Sequence, residues 1–176
     1  MRGANVKRGL VVVCALALLL QSAGPLAAGK RATDTSGAVS VEIPKGWRVD
    51  RNLADCVKLT LLGTAHKGVY SYITLVTKKA DKLSLDTVAK GIEKDPSILD
   101  KGCKIISHST TKLGGTPALA YMCESAPAPS GAVVWFETVI AIRGKTAYLL
   151  SYSAAKDFFK VDKPALDTVM KSFKWV

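Results

Sequence analysis

The chain has 176 residues and a formal net charge of +11; hydrophobic residues make up 48%, charged residues 22% and aromatics 7%. That composition excludes a disordered tail, a collagen-like fibre and a multi-span membrane protein, and the length suits one domain rather than two.

Residues 1–28 divide as a secretory signal does. Arg2, Lys7 and Arg8 open the chain with no acid among them, and Gly9 to Leu20 is an unbroken apolar run of twelve residues. A span needs about 20 such residues, so the run predicts a signal peptide, cut after Ala28 or after Gly29 with Ala28 preferred, and no transmembrane span after cleavage. Cys14 lies inside the run, not after it, and reads as part of the signal rather than as a lipid-attachment site. Removal takes away three cations, leaving 148 residues with a net charge of +8. The mature protein is therefore expected to be periplasmic or secreted.

Residues 29–37 read as a short, frayed polar lead-in to a single domain over 38–176. Val39, Val41 and Ile43 alternate with polar neighbours, as do Val57, Leu59 and Leu61, which predicts two strands with one wet face each. Val69 to Thr77 is rich in β-branched and aromatic residues and predicts a third. The period then changes: Leu85, Val88, Ala89 and Ile92 form the stripe of an amphipathic helix, with Ser84 as N-cap and Pro96 at its end. Lys104–Lys112 and Thr116–Glu124 flank Leu113-Gly114-Gly115, the signature of a hairpin. The near-continuous apolar stretch Ala132 to Ile142 predicts a central strand, and Arg143-Gly144-Lys145 turns the chain into a last strand over 146–153. Leu166, Val169, Met170 and Phe173 predict a second helix, with Asp162 as N-cap and Pro164 in its first turn. The order of elements predicts an α+β fold, an antiparallel sheet of six or seven strands covered by helices.

Several marks follow one another along the chain: Ile43-Pro44 running into Gly46-Trp47, Leu113-Gly114-Gly115 with Pro117-Ala118, Gly144-Lys145 followed by Tyr148-Leu149 and Ser151-Tyr152, and the closing Lys171-Ser172-Phe173. In this order they resemble the PsbP-like family, whose fold is shared by photosystem II PsbP, a Ran-binding nuclear import factor and the periplasmic protein DcrB. The resemblance implies an αβα sandwich and a binding or assembly role without catalysis, and it carries over no functional residue. The ten or so residues between the cleavage point and the first strand are too few for the docking extension of the photosynthetic members. A bacterial envelope protein fits better.

No catalytic set, metal site or cofactor is predicted. The two histidines, His66 and His108, lack a partner at ligand spacing and read as exposed; Glu137 reads as meeting water. Cys56, Cys103 and Cys123 remain after cleavage, so one bridge and one free thiol is the simplest count. Cys103–Cys123 across the hairpin is the preferred pair, Cys56–Cys103 is its rival, and Cys56 outside a bridge reads as buried. A cysteine-dependent hydrolase is the least favoured function. Lys78, Lys79 and Lys82 cluster before the first helix and are the candidate binding residues, facing a protein partner in the envelope or an anionic surface. Scattered lysines without interleaved aromatics give no reason to expect nucleic-acid binding. A small-ligand carrier, with a cavity between sheet and helices under Trp135 and Tyr121, is the alternative.

Overall fold

The computed structural model describes residues 29–50, 56–66, 68–126 and 131–176. The signal peptide expected over 1–28, Cys14 included, lies outside the described residues. In chain order the elements are β1 (Arg31–Thr33), β2 (Val39–Glu42), β3 (Arg48–Asp50), β4 (Val57–His66), β5 (Val69–Lys79), α1 (Leu85–Lys94), β6 (Lys104–Leu113), β7 (Thr116–Glu124), β8 (Val134–Arg143), β9 (Thr146–Ala155), α2 (Phe159–Ser172) and β10 (Lys174–Trp175). Seven strands form one antiparallel sheet in the order β3-β4-β5-β9-β8-β7-β6, and β1, β2 and β10 form a second, small sheet.

Alternation along the strands sends side chains to two faces, each covered differently. Leu59, Leu61, Ile73, Leu75, Val139, Leu150 and Tyr152 point to one face, where Leu166 and Val169 of α2 and Val39 and Val41 of β2 close a large core. Tyr121, Cys123, Phe136 and Ile140 point the other way and meet Ile92 of α1 in a smaller core. The protein is thus an α+β sandwich with helices on opposite faces. Val134–Arg143 lies inside the sheet between β7 and β9, and Phe136, Thr138, Val139, Ile140 and Ala141 are all buried, as its apolar run predicts.

Several local details depart from the sequence reading. Val39–Glu42 belongs to the small sheet, not the large one, because Val39 and Val41 bury their side chains against α2 rather than along the main sheet. The lead-in is paired: β1 lies against β2, and buried Asp34 accepts the Val39 N–H at 2.8 Å and bonds Ser36, which holds the intervening turn. Ser84 caps α1 as expected, its hydroxyl accepting from Thr87 N at 3.1 Å, and Pro96 opens a 3-10 turn, Pro96–Ile98, just past the helix. By contrast α2 begins at Phe159, three residues before the expected cap, and Pro164 lies inside it. Asp162 is drawn away from capping by other partners, described below.

Two glycines are required by close approach. A Cβ at Gly63 would stand 2.6 Å from the ring of Trp47, so the indole lies against bare backbone. Gly114, at φ 53°, turns the β6–β7 hairpin under Trp175 and Phe173, which a Cβ would meet within 3 Å.

Candidate binding site

The register brings the ends of four strands together. Lys78 pairs with Ala147 and Lys79 with Thr146; Thr146 in turn pairs with Arg143 across the β8–β9 hairpin. The Ala80 N–H donates to Lys145 O at 2.8 Å, tying the segment after β5 to that same turn. Trp175 joins the neighbouring hairpin to it: its Nε1 donates to Thr116 Oγ1 at 3.1 Å, while the Arg143 guanidinium lies 4.9 Å above its ring. Lys78 and Lys79 are the last residues of β5 rather than loop residues, and Lys82 follows in the turn before α1. All three are exposed, as are Lys112, Arg143 and Lys145 from the two hairpins that reach the same end of the sheet. This end is therefore cationic beyond the local cluster.

Next to Lys78 and Lys79 a crevice of about 140 Å³ opens between α1 and the sheet, with Leu83, Ile92, Ile98 and Leu149 in its wall. Leu83 and Ile98 are 45% and 52% exposed, so two large apolar side chains stand at its mouth beside the lysines. The arrangement suits an apolar anchor flanked by negative charge. Lys112, Arg143 and Lys145 were missed because they arrive from other hairpins; the register through β9 brings Arg143 and Lys145 towards the end of β5, whereas Lys112 lies on the far edge strand at the same end of the sheet.

The other chemistry-bearing residues fall elsewhere. His66 is not exposed: its ring stacks on Phe158 at 4.1 Å, and its Nε2 donates to Asp162 Oδ2 at 3.0 Å. Buried Ser71 donates its hydroxyl to the same carboxylate oxygen at 2.5 Å. A Ser–His–Asp relay needs the imidazole between hydroxyl and carboxylate, to take the hydroxyl proton. Here the carboxylate stands between the other two, so the three residues fasten the start of α2 to β4 and β5. Beside them Tyr152 donates to Phe159 O at 2.8 Å; burial, then the Asp162 and Glu137 charges, push its phenol up. Glu137 does not face open water. It lies opposite α2, paired with Lys163 at 3.3 Å, and Lys163 also holds Asp167 at 2.9 Å. Burial lowers the Lys163 pKa, but the two carboxylates outweigh it and hold the ammonium above its ordinary value. His108, by contrast, is exposed, its ring stacked over Tyr121.

Among the described residues the three cysteines, Cys56, Cys103 and Cys123, are free, and Cys56 is exposed rather than buried. Cys103 and Cys123 are neighbours as thiols, not bridged. Burial foremost, with the charge and hydrogen bond of Cys103 next, pushes the Cys123 thiol up to about 12. Trp135 and Tyr121 lie on opposite faces of the sheet, one against the α2 core and the other inside the α1 core, so they cannot line one cavity. Among the described residues no group of three or more His, Cys, Asp or Glu could hold a metal ion, and no helix is long and apolar enough to cross a membrane.

An antiparallel sheet with a helix on each face and a small accessory sheet beside the second helix defines the class. No family model and no curated protein matches the sequence. Solved structures do match. LpqN, involved in cell envelope biogenesis of Mycobacterium tuberculosis, superposes with a TM-score of 0.59 at 17% identity, over 83% of this chain and 84% of that one. Cyanobacterial PsbP (CyanoP) from Synechocystis sp. PCC 6803 gives 0.56 at 15% identity, over 89% and 99%. PA94 from Pseudomonas aeruginosa gives 0.53 at 12% identity, over 75% and 88%. The chain has the PsbP-like fold.

Proposed function

We propose that the protein is an exported, non-catalytic domain of the bacterial envelope that binds a protein partner through the cationic end of its sheet. The observation that carries this reading is an apolar crevice lined by Lys78 and Lys79, with Leu83 and Ile98 at its mouth, at the end of the sheet where Lys82, Arg143 and Lys145 are also exposed. Charge steers an acidic surface there, and the crevice takes one apolar side chain as anchor. Its volume, about 140 Å³, falls below the ~300–1,000 Å³ of typical small-molecule sites, so at this crevice a partner's side chain fits better than a small ligand. The fold likeness to an envelope-biogenesis protein supports the setting, and the signal-like residues 1–28 support export. Against thiol catalysis stands Cys123, buried and held protonated at neutral pH.

Site-specific photo-cross-linking tests the reading. A photoreactive residue in place of Lys82 should capture one partner from envelope extracts, and the same residue in place of exposed Val161, on α2, should not. Capture should weaken steeply with salt, because exposed charges are screened within about 8–10 Å. Equal capture from both positions, or a purified protein that captures nothing and hydrolyses a substrate, contradicts it. N-terminal sequencing of the mature protein should begin at Gly29.

A further inference from the structure

The two edges of the large sheet are unlike. The β3 edge is three residues long and carries Arg48 and Asp50, a short charged strand of the kind that discourages further pairing. The β6 edge is ten residues long, and from Ile105 to Thr111 it holds neither charge nor proline. Five consecutive residues, Ile106 to Thr110, are exposed, and no described segment pairs with the outer side of β6. Its one register break falls between Ile105 and Ser107, which leaves the stretch to Leu113 regular. Along such an edge every second residue turns its N–H and C=O outward, ready to accept another strand.

Lysines close both ends of this bare stretch, Lys104 and Lys112. They decide between occupants. A second copy pairing antiparallel about the middle of β6 would set Lys104 of each chain towards Lys112 of the other, and like charges opposite one another destabilise. The mature charge of +8 opposes self-association further. An extended segment with acidic residues at its two ends turns both lysines into cross-strand pairs. Lys112 also stands beside the hairpin turn that Trp175 joins to Arg143, so the edge runs into the cationic end of the sheet.

We infer that β6 is a docking edge for an extended segment of a protein partner, uncharged along its middle and acidic at both ends, which adds to the sheet as an eighth strand. This rests on the reading of the protein as a partner-binding domain and names the form the partner takes.

The probe is an acetylated, amidated peptide of alternating Val and Thr with Glu at each end, added to the full mature protein. Amide hydrogen exchange by NMR should show protection within Ser107–Thr111, and exchanging the terminal Glu for Lys should weaken binding by about tenfold or more. Ser109→Pro and Thr110→Pro are made in parallel. Consecutive N–H groups point to opposite sides of a strand, so one of the two spares the β6–β7 ladder, and the variant that keeps the wild-type melting temperature should lose the peptide. Absent binding, protection elsewhere, unchanged binding by the folded proline variant, or a dimer that itself protects β6 each overturn the inference. If the folded proline variant still cross-links the same partner through position 82, β6 is not the docking edge while the partner reading stands. Wild-type protein that captures no partner defeats the reading itself.

Discussion

The two faces of the large sheet use the same kind of side chain for different ends. On the α2 face, Leu166 and Val169, with Val39, Val41, Leu61 and Leu150, are almost wholly shielded, and a second sheet seals the margin. On the α1 face the core is smaller, and Leu83 and Ile98 remain open at a crevice beside lysines. Apolar area stabilises the fold only where it is removed from water on folding. The area left out on the α1 side is available to a partner instead.

Substitutions break or sharpen that contrast. Leu166→Ala empties a fully buried site on the α2 face and should cost about 2–5 kcal/mol in urea unfolding, whereas Ile98→Ala should stay within about 0.5 kcal/mol yet reduce partner capture. Similar losses from both would erase the distinction between the faces. Asp162→Ala leaves the Ser71 hydroxyl and the His66 ring without their shared acceptor and should cost about 1–3 kcal/mol. An unchanged unfolding midpoint would show that the carboxylate does not fasten α2.

On the α1 face the sign reverses at Tyr121. Its hydroxyl is buried without a hydrogen-bond partner among the described residues, so Tyr121→Phe should raise stability by about 1 kcal/mol in the same unfolding assay. A loss would reveal a partner for that oxygen. A further effect concerns pH. The folded Cys123 thiol titrates at about 12, against an ordinary value of 9.0, so across that window the unfolded chain releases a proton that the folded chain keeps. Stability should therefore fall as pH rises from 9 towards 12, and Cys123→Ala should flatten that slope. An identical slope in the variant would remove Cys123 as its source. Alkylation at pH 8 should modify exposed Cys56 well before Cys123.

Local signals were legible in the sequence, and long-range ones were not. The Ser84 cap, the Leu85–Ile92 stripe and the Gly114-Gly115 turn each depend on a few adjacent residues, and each appears where expected. The placement of β2 in a separate sheet could not be read, because a period of two says which residues face inward but not against what. Three-residue β3 and two-residue β10 are too short to show any period. Asp162 looked like a helix cap because its true partners, His66 and Ser71, lie more than ninety residues away in the chain. The same distance rule explains the site: Lys78, Lys79 and Lys82 are visible as neighbours, whereas Arg143 and Lys145 join them only through pairing with β9.

The most direct test of the division between faces is hydrogen exchange on the mature protein, alone and with the partner captured through position 82. Protection should appear at 78–83, at 96–99 and along 107–111, with exchange in Phe159–Ser172 unchanged. Protection confined to α2 and the small sheet would contradict the account.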